Sequence, residues 1–199
     1  MSFKRIVYGF CGLIFLFSIS ALPSGEEMPV PPKVQVPLIL KVLTYDRNLK
    51  QKAGTNLVIG ILYDSHDDNS KKTRNEISQV LDSLSDKTIS GVRFSYGYLD
   101  YSSADELKNA INANGVKILY ITPGNKSHLS SIIKISQKNK ILTITAVPEY
   151  VNKGISVGIG LKENNKPEIW INLSSAKAEG SEFSADLLKL CRVIKKDAR

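Results

Sequence analysis

The sequence predicts an α/β fold: a mostly parallel, Rossmann-like three-layer sandwich with a carboxy-terminal antiparallel hairpin and amphipathic helices at both ends. One observation behind this prediction is a set of continuous apolar runs, such as LVIGILY at residues 57–63, which are typical of strands buried on both faces of a parallel sheet. A second is that such runs alternate four times with segments of helical periodicity, joined by short links. A third is a pair of β-type runs, residues 155–161 and 168–173, which flank a polar turn and predict the hairpin.

The composition is that of one globular domain. The chain has 199 residues, of which 42% are hydrophobic and 23% are charged, and this is enough for a sizeable core. The formal net charge of +8 would suit anionic partners, but the lysines are scattered and no aromatic stripe is interleaved with them. We therefore expect no nucleic-acid binding, and we assign residues 34–199 to a single domain.

The first 21 residues have the features of a secretory signal peptide. Lys4 and Arg5 precede an almost unbroken apolar run at residues 6–19, and small residues follow it. The run is short for a transmembrane helix, so we expect cleavage and a periplasmic location, with an uncleaved anchor as the alternative. Residues 22–33 are proline-rich and acidic, and we predict them to be a flexible lead-in.

The first predicted helix has Pro37 at its first position and runs to about Lys50, and Gly54 ends the segment. Apolar residues recur along it at the spacing of one helical face: Val36, Ile39, Leu40 and Leu43. We expect this face to pack against the main body of the domain.

The central part of the chain alternates strands and helices. Strands are predicted at residues 57–63, 92–99, 116–121 and 141–147. The helices between them carry apolar residues on one face, namely Ile77, Val80, Leu81 and Leu84, then Leu107, Ala110 and Ile111, and then Leu129, Ile132 and Ile133. Ser103 and Glu106 predict a capping box for the second of these helices, and Gly115 closes it. Pro148 is predicted to end the fourth strand.

The segment after the hairpin carries helical signals. Gly180 ends a short helical piece, and Ser181 is predicted to cap a final amphipathic helix. Lys195 and Lys196 would lie at the end of that helix, where positive charge is favourable. Its apolar face would carry Phe183, Leu187, Leu188, Cys191 and Ile194.

The two cysteines exclude an internal disulfide in the mature chain. Cys11 lies in the predicted signal peptide, and Cys191 is then the only thiol. We expect Cys191 to act as a small core residue.

Polar residues at the predicted carboxyl ends of the strands are candidates for ligand binding, because open α/β sheets bind ligands at this edge. These candidates are Asp64, Ser65, Asp100, Thr122 and Glu149. We predict no catalytic residue, no cofactor and no metal site, because the chain has only two histidines and none of the spacings of a zinc site.

Two local patterns are misleading as evidence of chemistry. Asp64, Ser65 and His66 include the residue types of a catalytic triad, but three consecutive residues cannot form a relay. Gly158 and Gly160 lie within a predicted strand rather than between a strand and a helix, so they predict close backbone packing instead of a phosphate loop.

The segment IWINLSSAKAEGSEFSADLLKLCRVI, at residues 169–194, resembles the end of the YfiR-like family of exported bacterial proteins. The matching positions are Asn172, Ala176, Ala178, Gly180, Ser184, Leu187, Leu188, Leu190 and Val193. Segments at residues 36–49, 57–64, 118–124 and 143–160 resemble further parts of the family in the same order. The resemblance thus covers nearly the whole predicted mature chain.

The resemblance implies a periplasmic α/β protein that acts without enzymatic turnover. A repressor in the family engages the periplasmic part of an inner-membrane diguanylate cyclase and restrains cyclic-di-GMP synthesis. The implied partner is therefore such a cyclase, or a sensor kinase, and a homodimer is compatible with this role. The cysteine pairs of that repressor are absent here, so redox control through an internal disulfide is not implied.

Three functions stay open on the sequence. One is a regulatory module that binds the sensor region of a membrane signalling protein, and this is the function that the resemblance favours. Another is a periplasmic small-molecule-binding module, which the strand-end loops suggest. The third is a hydrolase that uses Asp64, Ser65 or His128.

Overall fold

The computed structural model describes residues 26–194. Eight strands form one sheet: β1 (Asn56–Tyr63), β2 (Thr88–Ile89), β3 (Val92–Asp100), β4 (Ile118–Ile121), β5 (Leu142–Thr145), β6 (Val157–Leu161), β7 (Pro167–Asn172) and β8 (Arg192–Ile194). The helices are α1 (Pro32–Leu43), α2 (Leu49–Ala53), α3 (Asp68–Ser83), α4 (Ala104–Ala113), α5 (Leu129–Asn139), α6 (Pro148–Asn152), α7 (Leu173–Ala178) and α8 (Ala185–Leu188). The predicted signal peptide, Cys11, Lys195 and Lys196 lie outside the described residues.

The sheet has the strand order β2-β3-β1-β4-β5-β6-β7-β8. Strands β3, β1, β4, β5 and β6 run parallel, β7 returns antiparallel to β6, and β8 pairs parallel to β7. The predicted parallel sheet with a hairpin at one side is confirmed, and the antiparallel strand lies inside the sheet rather than at its edge.

Two hydrophobic cores lie on the two faces of the sheet. Alternation along β4 shows this directly, because Ile118 and Tyr120 belong to one core and Leu119 and Ile121 to the other. The first core is covered by α1, α3 and the carboxy-terminal segment, and the second by α4, α5 and α6. The three-layer arrangement predicted from the sequence is therefore present.

The first helix differs from its prediction. It begins at Pro32, so that Pro37 lies inside the helix rather than at its first position. It ends at Leu43, Asp46 then bridges to Phe183 across the fold, and a separate helix, α2, follows. The apolar face of α1 is buried as predicted.

The prediction of a long final helix is also wrong. Ser184, not Ser181, caps a helix of one turn, α8, and the chain then becomes strand β8. Backbone pairing with β7 outweighs the helical spacing of the apolar residues, because a strand at this edge satisfies the exposed groups of β7. Cys191 is half-buried and packs against the core, and burial raises the pKa of its thiol to about 11.

Two short elements were not predicted. Strand β2 forms a tight turn onto β3 through Ser90 and Gly91, both at positive φ. Helix α6 begins at Pro148, which takes the first helical position, and β5 ends earlier than predicted, at Thr145. In residues 26–194 no helix is both long enough and apolar enough to span a bilayer.

Candidate functional site

The order in which the chain adds strands to the sheet reverses between β1 and β4. The chain leaves β1 for β3 on one side and returns through α4 to β4 on the other, so the loops after β1 and β4 diverge at this point. Such a switch point creates a crevice outside the carboxyl ends of the strands, and ligands of open α/β sheets bind there. In this protein the loops that follow these two strands are residues 64–67 and 122–125.

Thr122 is the centre of a hydrogen-bond network at this point. It is completely buried, and its hydroxyl donates to the Leu62 carbonyl at 3.0 Å. The same oxygen lies 2.6 Å from Ser70 Oγ, and Ser70 in turn accepts from the Asp64 backbone N–H at 2.9 Å. Thr122 therefore joins the ends of β1 and β4 to α3, and its hydroxyl is occupied by the protein itself.

Asp64, Ser65 and Asp100 lie together across the ends of β1 and β3. Asp100 Oδ1 accepts from the Ser65 backbone N–H at 3.0 Å, and Asp64 Oδ1 accepts from the His66 backbone N–H at 2.8 Å. Both carboxylates hold the backbone of the loop in place. Asp64 does so through an Asx turn, and Asp100 does so from the end of the neighbouring strand.

Glu149 lies apart from these residues. Its carboxylate pairs with Lys126 and Lys153, each at 3.1 Å. The hydrogen bond from Lys126, followed by that from Lys153, holds the pKa of Glu149 below its ordinary value. The structure thus brings four of the five predicted site residues to one end of the sheet and leaves the fifth on the neighbouring helix, α6.

The crevice itself contains Glu26, a residue of the predicted lead-in. Its carboxylate accepts hydrogen bonds from the Gly124 backbone N–H and from the Tyr150 hydroxyl. Gly124 has a φ of +90°, and a Cβ at that position would lie 3.0 Å from Asp67 Cγ, so a glycine suits this turn on both counts.

Tyr150 and Asn125 complete this arrangement. The Tyr150 hydroxyl accepts from the Asn125 backbone N–H at 3.0 Å, so it is free to donate its own proton to Glu26. Burial, reinforced by the Glu26 carboxylate, raises the pKa of Tyr150 well above its ordinary value and keeps the hydroxyl protonated. Asn125 is fully buried and donates to Thr122, and among residues 26–194 no donor reaches its Oδ1.

Sequence reasoning missed Glu26, Tyr150 and Asn125. Glu26 carries no signal, because an acidic residue in a proline-rich segment is typical of a linker. Tyr150 follows a proline that could have indicated a helix start, and this would have placed Tyr150 on the face that packs against the sheet.

Two cavities lie on either side of the lead-in. One of about 410 Å³ lies between residues 26–29 and α3, and is lined there by Asn69, Lys72, Thr73 and Glu76. The other, of about 400 Å³, lies between the lead-in and α6, and is lined there by Lys126, Val147, Pro148 and Glu149. Glu26, Glu27 and Pro29 form a wall common to both.

The histidines do not assemble a nucleophile with a base. His66 is largely exposed and lies 3.2 Å from Asp64 Oδ1, and His128 stacks on Tyr101 with ring centroids 4.0 Å apart. In the described part of the chain, no hydrogen bond joins Ser65 Oγ to either ring, and no group of three His, Cys, Asp or Glu side chains is placed to hold a metal ion.

Residues 33–192 match the model of a family described as YfiR/HmsC-like. No curated protein shows significant sequence similarity to the chain.

Solved structures share the fold. A conserved domain protein from Vibrio cholerae superposes with a TM-score of 0.60 at 16% sequence identity, covering 83% of this chain and 60% of the other. An ABC domain in complex with L-Trp from Streptococcus pneumonia gives a TM-score of 0.56 at 18% identity, covering 82% and 60%. A ligand-free, open substrate-binding protein with adhesive properties from Clostridium difficile gives 0.51 at 18% identity, covering 75% and 58%. The chain spans less than two thirds of each of these proteins, and the likeness concerns the fold alone.

Proposed function

Since the chain belongs to the YfiR/HmsC-like family, which has a periplasmic regulatory role, we propose that it binds the periplasmic sensor region of an inner-membrane signalling protein and modulates its output. The signalling protein would be a diguanylate cyclase or a sensor kinase. The observation that carries this proposal is the match to the family over residues 33–192. The chain would reach the periplasm through its predicted signal peptide.

The chemistry of the strand ends supports a role without turnover. Asp64 and Asp100 brace backbone N–H groups, and Thr122 is tied to the Leu62 carbonyl. Groups already committed to the fold in this way are poor candidates for nucleophiles or bases, because catalytic geometry requires a nucleophile within hydrogen-bond reach of its base. A hydrolase stays the weakest of the three functions.

The outer edge of β3 is the surface that we propose for the partner. Strand β2 pairs only with Val92 and Arg93, so among the described strands none lies beside residues 94–100. This stretch contains neither proline nor lysine, the residues that usually protect a free edge. Tyr98 is 49% exposed there, with the Arg74 guanidinium 5.0 Å from its ring centroid. A strand of the sensor region could extend the sheet at this edge.

We expect the tagged chain to recover a membrane cyclase or kinase from detergent-solubilised inner membranes, and Tyr98→Glu to abolish that recovery. A charge at the centre of a free edge opposes strand addition. Leu190→Glu is the matched control, because Leu190 is also a large exposed apolar residue, 70% exposed, and lies beside the opposite end of the sheet. Mass spectrometry identifies the captured proteins.

Recovery of no cyclase or kinase by the unchanged protein would argue against the regulatory role. Equal recovery by Tyr98→Glu and Leu190→Glu would be compatible with the regulatory role but would show that the partner does not bind at the edge of β3. The hydrolase alternative is tested separately: if any hydrolytic activity of the purified protein survives Ser65→Ala and His128→Ala, these residues do not catalyse it.

A small-molecule-binding role is the second candidate. The observation that favours it is the pair of cavities of about 410 and 400 Å³ that flank the lead-in. One of them is lined by Val147 and Pro148, which follow the carboxyl end of β5, and ligands of such sheets bind at this edge.

A further inference from the structure

We propose that the crevice between the ends of β1 and β4 is a binding site for a small carboxylate, and that Glu26 fills it as a tethered competitor. Glu26 is remote in sequence from everything that it touches there. The proposal does not depend on a membrane partner, and its test uses the purified protein alone.

The donors of the site suit a carboxylate. The Gly124 N–H and the Tyr150 O–H converge on the same oxygen, Glu26 Oε2. A carboxylate only accepts hydrogen bonds, and bonds from neutral donors to it are stronger than those between two neutral groups. The Asn125 N–H donates to the Tyr150 oxygen, so the tyrosine proton points to the acceptor in the crevice. This bond does not involve Glu26, so the site is organised for an anion without it.

Asn125 fixes the turn that presents the Gly124 N–H. It is fully buried, its Nδ2 donates to the Thr122 carbonyl at 3.2 Å, and its backbone N–H donates to the Tyr150 hydroxyl at 3.0 Å. The two donors of the site are therefore held by the protein itself and not by Glu26.

The contacts of Glu26 allow a free carboxylate to replace its side chain in the crevice. Among the described residues, no lysine or arginine forms an ion pair with it, and Lys126 of the adjacent cavity is paired with Glu149 instead. The lead-in is anchored further on, at Val30, whose carbonyl accepts from Gln35 Nε2 and whose side chain is buried. Met28 also packs against the core and accepts from the Tyr120 hydroxyl, so Glu26 and Glu27 can leave the crevice while residues 28–30 stay in place.

The room for a ligand is already present. The two cavities lie on either side of Glu26 and Glu27, and movement of these two residues away from Gly124 and Tyr150 would join the cavities beside the two donors. Their volumes, about 410 and 400 Å³, fall in the range of small-molecule sites. A group tethered by a short linker competes at an effective concentration of about a millimolar or more, so free carboxylates bind the unchanged protein weakly.

Acetate is the probe for this proposal. In ¹⁵N–¹H spectra of the full chain we expect acetate to shift the Gly124 amide signal saturably in Glu26→Ala, with an apparent Kd at least tenfold lower than in the unchanged protein. Glu27→Ala is the matched control, because Glu27 lines both cavities without contributing a hydrogen bond to Gly124 or Tyr150, and it should behave like the unchanged protein. Sodium chloride at equal ionic strength should produce no saturable shift.

A further variant tests the donors. Tyr150→Phe in the Glu26→Ala background should weaken acetate binding several-fold, because it removes one of the two donors. The proposal is overturned if Glu26→Ala and the unchanged protein bind acetate equally, if chloride reproduces the shift, or if no saturation occurs in Glu26→Ala. Loss of a membrane partner would leave all of these results unaffected.

Discussion

Replacement of Glu179 by alanine is expected to lower the free energy of unfolding by about 3–5 kcal/mol, because it strips buried donors of their acceptor. Glu179 is fully buried at the end of α7. Its Oε1 accepts from the hydroxyls of Ser136 and Thr143, each at 2.8 Å, and its Oε2 accepts from the Thr143 backbone N–H at 2.8 Å and from the Ser156 hydroxyl. One side chain thus joins α5, β5, the start of β6 and α7.

Glu179→Gln is the control for this prediction. The amide oxygen of glutamine can take the Thr143 N–H and the Ser156 hydroxyl, while its NH₂ group faces hydroxyls that can rotate to accept. Ser136 would still have the Ile133 carbonyl as an acceptor for its own proton. We expect this variant to remain within about 1 kcal/mol of the unchanged protein in urea unfolding at neutral pH. A Glu179→Ala variant as stable as Glu179→Gln would contradict the structural role.

The same carboxyl group predicts a pH dependence. Burial is the main cause that raises the pKa of Glu179 above its ordinary value of 4.5, and the four hydrogen bonds oppose it only in part. Below pH 4.5 the group is protonated in both the folded and the unfolded chain, and its contribution to stability is fully present. As the pH rises further, the unfolded chain releases this proton before the folded chain does, so the free energy of unfolding falls until the pH passes the folded-state pKa.

The measurement is the difference in unfolding free energy between the unchanged protein and Glu179→Gln across this range. We expect the difference to shift against the unchanged protein as the pH rises, with a slope of at most about 1.4 kcal/mol per pH unit. A difference that stays constant, or that shifts in favour of the unchanged protein, would mean that hydrogen bonding outweighs burial at this site.

The sheet could be predicted from the sequence because its strands are dictated by local composition. Strand β1 is buried on both faces, and so its apolar run is continuous and unambiguous. The hairpin of β6 and β7 has a polar turn between two β-type runs, and it forms at the predicted place. Asn172, which follows this hairpin, caps α7 by accepting from the Ser175 N–H.

The carboxy-terminal strand could not be predicted in the same way. The apolar residues from Phe183 to Ile194 fit one helical face, and Phe183 and Leu187 are buried as that spacing implies. Val193 nevertheless pairs with Ile171 across the ladder of β7 and β8. Local periodicity does not record that the edge of β7 is left open, so tertiary pairing overrides it.

In the candidate site, the placement of most residues could be predicted from the sequence, but the roles of their side chains could not. Asp64, Ser65, Asp100 and Thr122 could be assigned to one edge because strand order alone brings the carboxyl ends together. The roles of their side chains could not be foreseen, since an Asx turn and a ligand-binding carboxylate have the same sequence signature. The place of Glu26 in the site depends on its contact with Tyr150, and no local sequence pattern connects residues so far apart in the chain.

Gly158→Ala is expected to cost about 1–3 kcal/mol of stability and to disturb the crevice as well. A Cβ on Gly158 of β6 would overlap Val151 Cγ2, well inside van der Waals contact. Val151 is fully buried and its branched side chain has little freedom to move away, so α6 itself must shift. Tyr150 precedes Val151 in that helix, and its hydroxyl would then move relative to Asn125 and Glu26.

Gly97→Ala provides the matched control, because Gly97 also lies within a strand but has no atom within 4 Å of the position that an added methyl group would take. We expect this variant to be as stable as the unchanged protein or slightly more stable, since alanine restricts the unfolded chain more than glycine does. Combining Gly158→Ala with Val151→Ala should be less destabilising than the sum of the two single changes by about 1–2 kcal/mol, because the smaller side chain relieves the overlap. Additive losses in that cycle, or a Gly158→Ala variant as stable as Gly97→Ala, would show that a methyl group on residue 158 does not overlap Val151.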